Sequence, residues 1–455
     1  MEQPVKNELR RDLGPWAAAS IVVGTVIGSG IFLVPHDMVQ RVGSAGMVFA
    51  IFVFGGLLSL AGALSYAELA AALPEAGGEY AYLREAYGPI WGFLYSWTQT
   101  WVGKGGSIAT LATGFLSYLA TFFPRLDIVF YSLPLPLGPH GGPLEFRYAQ
   151  VMAMALILSL TWLNYYGVKL GGNVQIAVTG VKLGLIAFII IVGLGFGHAH
   201  APVAAGPAQV TAAGLFAALV AALWAYDGWN NVAMVASEVR DPQKNLPRAL
   251  VGGTVAVIGI YLLVNAAYFH VLSAPEVGNS PRVASEMMRR ILGGPGASLV
   301  AIAAMISMFA AINGSILTGS RVPYAAARDG YFFRPMARVD PQYRTPRVSI
   351  GVLGVWSALL VFTGGFQQLF TYVIFASWIF YGMTTAAVIV LRKKRPDLPR
   401  PYRTVGYPFV PILFVLVAIL LVYWTFKDSP RESVMASSLI LLGLPFYFYW
   451  KSRRN

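Results

Sequence analysis

The chain has 455 residues, 56% of them hydrophobic and 12% charged, with a mean hydropathy of +0.62. That balance describes a polytopic membrane protein and excludes both a soluble enzyme and a disordered segment. The formal charge of +13 is gathered at residues 6–11, 240–248, 321–347, 392–403 and 451–454. These clusters fall on alternate loops, so the charge orients the chain in a bilayer by the positive-inside bias and is not a surface for nucleic acid.

In chain order, the opening MEQPVKNELRRDLG is polar and mixed in charge, and the apolar run after it is too long for a signal h-region. The first span is therefore expected to be retained. Apolar windows predict spans at 16–35, 45–72, 89–123, 148–167, 173–196, 211–237, 248–272, 296–326, 347–363, 367–391, 407–426 and 432–450, twelve in all. An even number puts both termini on one side, and the basic clusters make that side the cytoplasm. Arg282, Arg289 and Arg290 fall on the outer face, accompanied by Glu276 and Glu286. The outer loops at 124–147 and 198–210 are too short for a domain.

Cysteine is absent, which removes disulfides, thiolate metal sites and cysteine nucleophiles. The histidines, all but His270 in or beside outer loops, are too scattered for a metal site or a catalytic pair. No cofactor is expected.

Two spans break the rules of a membrane helix. Residues 24–32 read GTVIGSGIF, and glycines with small hydroxyls are poor material for an unbroken helix. Broken backbone at membrane depth survives only where it is buried in protein or lines a polar cavity. Amides opening the second half, near Gly28, Ser29 and Gly30, would face an anion, while carbonyls closing the first half would face a cation. A zwitterion fits that pair. The alternative is that Gly24, Gly28 and Gly30 only let two helices pack closely.

The second break is WAYDGWNN at 224–231, where Asp227 beside Gly228 is costly in lipid and must face a polar interior. The two breaks stand five spans apart, so spans one to five (about 16–196) and six to ten (about 211–391) read as two repeats, with further helices at about 407–450. Five is odd, so the second copy is inverted. Paired interruptions in corresponding positions point to a transporter's midplane site.

VGTVIGSGIF in the first span, PEAGGEYAYLREAYGP after the second, LWAYDGWN in the sixth, EVRDPQKNLPRAL after it and INGSILTGSR in the eighth follow in order along nearly the whole chain. This set resembles the L-type amino acid transporters of the amino acid, polyamine and organocation superfamily. The resemblance implies an all-α membrane protein of twelve transmembrane helices, an inverted 5+5 repeat with broken helices one and six (the LeuT-like fold), and alternating access. It implies that the backbone around Gly28, Ser29 and Gly30 holds the substrate carboxylate. The α-amino group would meet carbonyls near Thr25, Val26 and Ile27 and near Trp224 and Ala225. Trp224 stands where the family keeps an aromatic gate.

Lys182, mid-span in TGVKLGL, matches the lysine that sodium-independent relatives place where sodium-coupled members bind an ion between spans one and eight. Its charge would replace the sodium, making transport an exchange, or proton-linked if Lys182 deprotonates when desolvated. Where relatives offer a serine from the eighth span this chain has Ala311, so Ser315 or backbone carbonyls are expected to serve instead. The light subunit that exchanges cationic for neutral amino acids has an aspartate matching Asp227 and a lysine matching Lys104. Asp227, with Gly228 beside it, would then admit cationic side chains; the other reading is that Asp227 pairs internally, with Lys104 or a tyrosine. Animal members join a heavy chain through a cysteine after the third span. This chain has none, so a prokaryotic homologue acting alone in the cell membrane (a bacterial inner membrane) is expected.

Within transport the alternatives are a proton-coupled importer and an arginine or polyamine antiporter. An enzyme would need convergent acid, base or metal groups at membrane depth, where only Lys104, Lys182 and Asp227 stand out as ionisable. A channel would need a polar face sustained along several spans.

Overall fold

The computed structural model describes residues 9–134, 143–198, 210–363 and 366–453, with the backbone alone over 366–372. In chain order the helices are α1 (Pro15–Val26), α2 (Gly30–Val42), α3 (Ala45–Ala72), α4 (Glu79–Tyr87), α5 (Pro89–Thr98), α6 (Lys104–Leu119), α7 (Tyr148–Tyr165), α8 (Val168–Phe196), α9 (Ala212–Tyr226) and α10 (Asn231–Met234). They continue with α11 (Pro242–Pro247), α12 (Gly253–Val271), α13 (Ala274–Asn279), α14 (Val283–Gly319), α15 (Arg321–Arg328), α16 (Arg347–Leu360), α17 (Phe366–Lys394), α18 (Phe409–Asp428), α19 (Pro430–Leu441) and α20 (Gly443–Ser452). A short hairpin interrupts them, β1 (Val129–Leu133) pairing antiparallel with β2 (Leu144–Arg147), Tyr131 opposite Phe146.

Local chemistry sets the helix ends. Pro15 opens α1, where a missing N–H costs nothing. The Ser44 side chain accepts from the Met47 N–H and caps α3, and Gly43 leaves α2 in the left-handed conformation at φ 68°. Ser273 and Glu276 form a capping box on α13. The Arg290 guanidinium, helped by Ser273, holds the Glu276 carboxyl down at about 2. Its folded value is depressed, so that contact is fully formed above the ordinary 4.5 and is lost only as pH falls through about 2.

Among the described residues eight helical stretches are long and apolar enough to cross a membrane: Pro15–Val42, Ala45–Ala72, Val168–Phe196, Pro242–Val271, Val283–Arg328, Val373–Lys394, Phe409–Asp428 and Pro430–Ser452. Helices also fill the remaining windows at 89–123, 148–167, 211–237 and 347–363, each short or interrupted. The third is split by a wider π turn at Gln99–Gly103, where the Lys104 N–H donates back to Gln99. The eighth begins before its expected window and bends at Gly293, φ 70°, just ahead of Pro295.

α1, α2, α9 and α10 form the centre. α1 packs on α8, α12 and α14, α2 on α9, and α9 on α3, while α14 lies along α6 and α8. α18 to α20 stand at the rim, α18 against α17, with Leu416, Ile419, Leu441 and Phe448 among the exposed apolar side chains. Such a surface suits lipid rather than water.

Candidate binding site at the two helix breaks

α1 stops at Val26 because Ile27 leaves helical geometry at φ −75°, ψ 85°. The Gly28 N–H then turns back to the Val26 carbonyl at 2.8 Å, and the chain re-enters a helix at Gly30 with Ser29 as the flanking residue. A helix start leaves its first amides without intrahelical partners, here around Ser29 and Gly30. In the sixth window α9 ends at Tyr226, the Asp227 N–H donates to the Trp224 carbonyl at 3.1 Å, and Gly228 takes φ +104°. That region strains any residue with a Cβ, and one at Gly228 would press on Thr25 as well.

The breaks face each other. Thr25 Oγ1 donates to Ile21 O at 2.6 Å and lies 3.0 Å from Gly228 O, so one hydroxyl touches both interruptions. Gly30 lies against Ala225, where a Cβ would overlap backbone, and Gly24 lies against Gln175 and Thr179. The two readings of the glycines therefore both hold: Gly24 and Gly30 serve close packing, and the interruption lies between them.

Between the breaks is a small cavity lined by Thr25, Val26, Gly28, Ser29, Gly30, Trp224, Asp227 and Gly228, together with Ser107, Leu111, Asn231 and Ser315. The expected residues thus converge except Ile27, Ala225, Lys104 and Lys182, which stand behind the lining. The Ser29 hydroxyl is 1% exposed and has no partner among the described residues. A buried orphan hydroxyl beside free helix-opening amides is a ready set of donors for a ligand carboxylate.

The carbonyls behind the cavity are already engaged. Lys182, 0% exposed, donates its Nζ to Gly24 O at 2.9 Å and Ile27 O at 2.8 Å, so its ammonium sits on the C-terminal, negative end of α1. Ser307 of α14 donates to Ile27 O at 2.7 Å and lies 3.2 Å from Gly28 O. This corrects the expectation that Ser315 or backbone carbonyls replace the hydroxyl absent at Ala311. Ser307 stands one turn earlier on the same face and reaches the break, while Ser315 lines the cavity. Tyr261 of α12 is not legible in the sequence: its hydroxyl lies 2.7 Å from Ala225 O and 3.0 Å from Val26 O, tying the ends of α1 and α9 together through one proton. The carbonyls expected to meet the amino group thus already have protein donors at Val26, Ile27, Trp224 and Ala225, and of the residues named for that contact Thr25, Val26 and Trp224 line the cavity.

Asp227 Oδ1 accepts from the Tyr381 hydroxyl at 2.7 Å, and Lys104 donates to Asn231 Oδ1. The direct Asp227–Lys104 pair is not formed; the tyrosine partner is. Glu68, Glu79, Glu238, Arg321 and Asp340 are buried as well, Glu68 and Arg321 inside expected spans, which corrects the count of intramembrane charges. Glu79 accepts from the Asn230 side chain, and Arg321 grips Glu238 with two bonds, Nε to Oε1 at 2.7 Å and Nη2 to Oε2 at 3.0 Å. Arg321 lies inside the window at 296–326, so its charge is a sequence signal of the same kind as Lys182. Glu238 also holds the chain before α1, since its carbonyl accepts from the Leu13 N–H at 2.9 Å and the Arg240 N–H donates to Leu13 O at 2.8 Å. Among the described residues no group of three or more His, Cys, Asp or Glu could hold a metal ion.

Residues 13–448 match the amino acid permease family. The chain is 34% identical to the mouse b(0,+)-type amino acid transporter 1, covering 97% of this chain and 88% of that protein. It is 33% identical to the serine/threonine exchanger SteT of Bacillus subtilis, covering 98% of each, and 32% identical to the mouse large neutral amino acids transporter small subunit 2, covering 98% of this chain and 82% of that one. Two broken membrane helices closing on one small polar cavity, in a chain similar to these proteins along nearly its whole length, make it a multi-pass amino acid transporter, not an enzyme, and a member of the amino acid permease family.

Proposed function

We propose that the chain is a sodium-independent exchanger of L-amino acids, working by alternating access. The carboxylate would lie on the amides and hydroxyl at Ser29 and Gly30, the ammonium on the carbonyl ends of α1 and α9, with Trp224 over the occupied cavity. The observation that carries this reading is the seat of Lys182. An ammonium on Gly24 O and Ile27 O, sharing Ile27 O with Ser307 of the eighth span, puts a positive charge between the first and eighth spans. A cation that stays bound and protonated through the cycle supplies no ion gradient, so a second amino acid drives the return. Exchange is also in the name of the Bacillus subtilis relative.

The architecture proposed is twelve spans in the LeuT-like arrangement, with inverted repeats over about 16–196 and 211–391 and two further spans over 407–450. Both termini would be cytoplasmic, in the cell membrane of a prokaryote. The matching order of broken, long and crossing helices from α1 to α8 and from α9 to α17 supports it. A chain with no cysteine has no means of joining a heavy chain by a disulfide, so it would work alone.

Reconstituted into proteoliposomes preloaded with unlabelled neutral amino acid, the protein is expected to take up label strongly with or without sodium, and to take up almost none into empty vesicles. A strict sodium requirement would overturn the role of Lys182. Strong uptake into empty vesicles driven by a proton gradient would favour a one-way importer, and label exchanged only against arginine or a polyamine would favour an antiporter of a sister branch.

Cationic side chains would be admitted through Asp227, which lines the cavity while its Oδ1 is held by Tyr381. Asp227→Gly is expected to lower labelled arginine uptake about tenfold or more, the loss of one charge-assisted hydrogen bond, and neutral uptake far less. Arginine uptake unchanged in the variant would show that Asp227 serves only Tyr381.

A further inference from the structure

The two breaks hold the carboxylate and the ammonium that every amino acid shares, which leaves neutral side chains without an assigned place. They meet the opposite wall of the cavity. That wall is built by α6 and α14, which pack along each other. A Cβ on Gly28 would lie 3.0 Å from Leu111 of α6 and 3.6 Å from Ala311 of α14, so the wall stands directly against the first break.

Helical spacing sets what the wall presents. Lys104, Ser107 and Leu111 fall on one stripe of α6, and Ser307, Ala311 and Ser315 on one stripe of α14. Ser107 and Ser315 line the cavity, are 7% and 3% exposed, and give their hydroxyls to no other described residue. Asn231 adds an amide. Its Oδ1 accepts from the Lys104 ammonium, and because lysine can only donate, the N–H end of the amide is turned away from Lys104. Asn231 lines the cavity and Lys104 stands behind it, so the donor end is the one on the cavity side. Asp227 completes the border with a carboxylate of which Oδ1 is on Tyr381.

An apolar side chain would cover these groups without pairing them, whereas a hydroxyl accepts from an amide or a serine and donates to an oxygen. We propose that Ser107, Ser315 and Asn231 form a side-chain subsite that selects amino acids bearing a side-chain hydroxyl over apolar ones of the same shape, with Lys104 as the positioning residue that presents the Asn231 amide. The proposal rests on the exchanger reading of the cavity. Threonine and valine isolate the effect, since one carries a hydroxyl where the other carries a methyl group.

Initial rates of labelled threonine and labelled valine, each over a range of concentrations into proteoliposomes preloaded with unlabelled neutral amino acids, test the subsite. Vmax/KM for threonine is expected to exceed that for valine by about tenfold or more, mainly through KM, because a site built to bond a hydroxyl rejects the analogue lacking it. Ser107→Ala and Ser315→Ala are each expected to lower that ratio severalfold. Lys104→Met releases the amide and is expected to bring the ratio close to one, whereas a lysine that only supports the fold would lower both rates in proportion. Valine handled as well as threonine by the wild type overturns the proposal and leaves the exchanger reading standing. Absence of counterflow for every amino acid defeats both together. A wild-type preference left unchanged in the two serine variants overturns the subsite, and one left unchanged in Lys104→Met overturns the role of Lys104.

Discussion

Lys182→Met is expected to lower exchange of neutral amino acids by about tenfold to a hundredfold, because a buried carbonyl stripped of its donor costs ~1–3 kcal/mol and each 1.4 kcal/mol is a factor of ten. Methionine preserves length and apolar bulk but leaves Gly24 O without the ammonium and Ile27 O with Ser307 alone. The backbone of the first break then loses the charge that fixes its shape. Ser307→Ala should cost far less, about threefold to tenfold, since one neutral hydrogen bond nets ~0.5–1.5 kcal/mol and Lys182 still holds Ile27 O. Initial rates of counterflow at matched protein orientation check both. Equal losses in the two variants would show that Lys182 acts as one more hydrogen bond and not as a resident cation.

The second large effect belongs to Gly30→Ala. A methyl there overlaps the backbone of Ala225, so α2 and the end of α9 must separate, at a cost of about 1–3 kcal/mol for overpacking. The same displacement moves the amides at Ser29 and Gly30 relative to the carbonyl ends they face. Transport is therefore expected to fall more than stability, by tenfold or more in counterflow rate against a Tm lower by a few degrees. Gly46→Ala, at a position where a Cβ meets nothing within 4 Å, is the control and should leave both unchanged. Wild-type rates in Gly30→Ala would mean that the two half-helices tolerate separation and that their approach does not set the site.

What can be read from the chain alone follows from how membrane segments are constrained. Ser29, Asp227 and Lys182 announce themselves because polar groups and broken backbone at membrane depth are costly without a partner. Their partners are not legible. Tyr261 and Ser307 sit in helices whose composition tolerates a tyrosine or a serine anywhere, and only the packing of α12 and α14 against α1 turns their hydroxyls to the break. Glu79 is hidden for a different reason: its polar neighbours read as a solvated loop, whereas the bonds from the Gly77 N–H to Met234 O and from Asn230 to Glu79 fold that loop inward. The window ends at 45–72 are clear because Ser44 caps the helix there, while the start of the eighth span is not, because α14 runs on through Gly293 where glycine and proline suggest an end.

The most direct test of a zwitterion held by the bare peptide groups of two broken helices is competition by a transported neutral amino acid, its decarboxylated amine and its deaminated acid against labelled substrate in proteoliposomes. Each analogue lacks one charged end and so loses a set of charge-assisted bonds of ~1.5–3 kcal/mol, about tenfold to a hundredfold in affinity. The amino acid should compete fully and both analogues weakly. An analogue that competes as well as the parent amino acid would contradict the site, since one pair of helix ends would then have no charged group to hold.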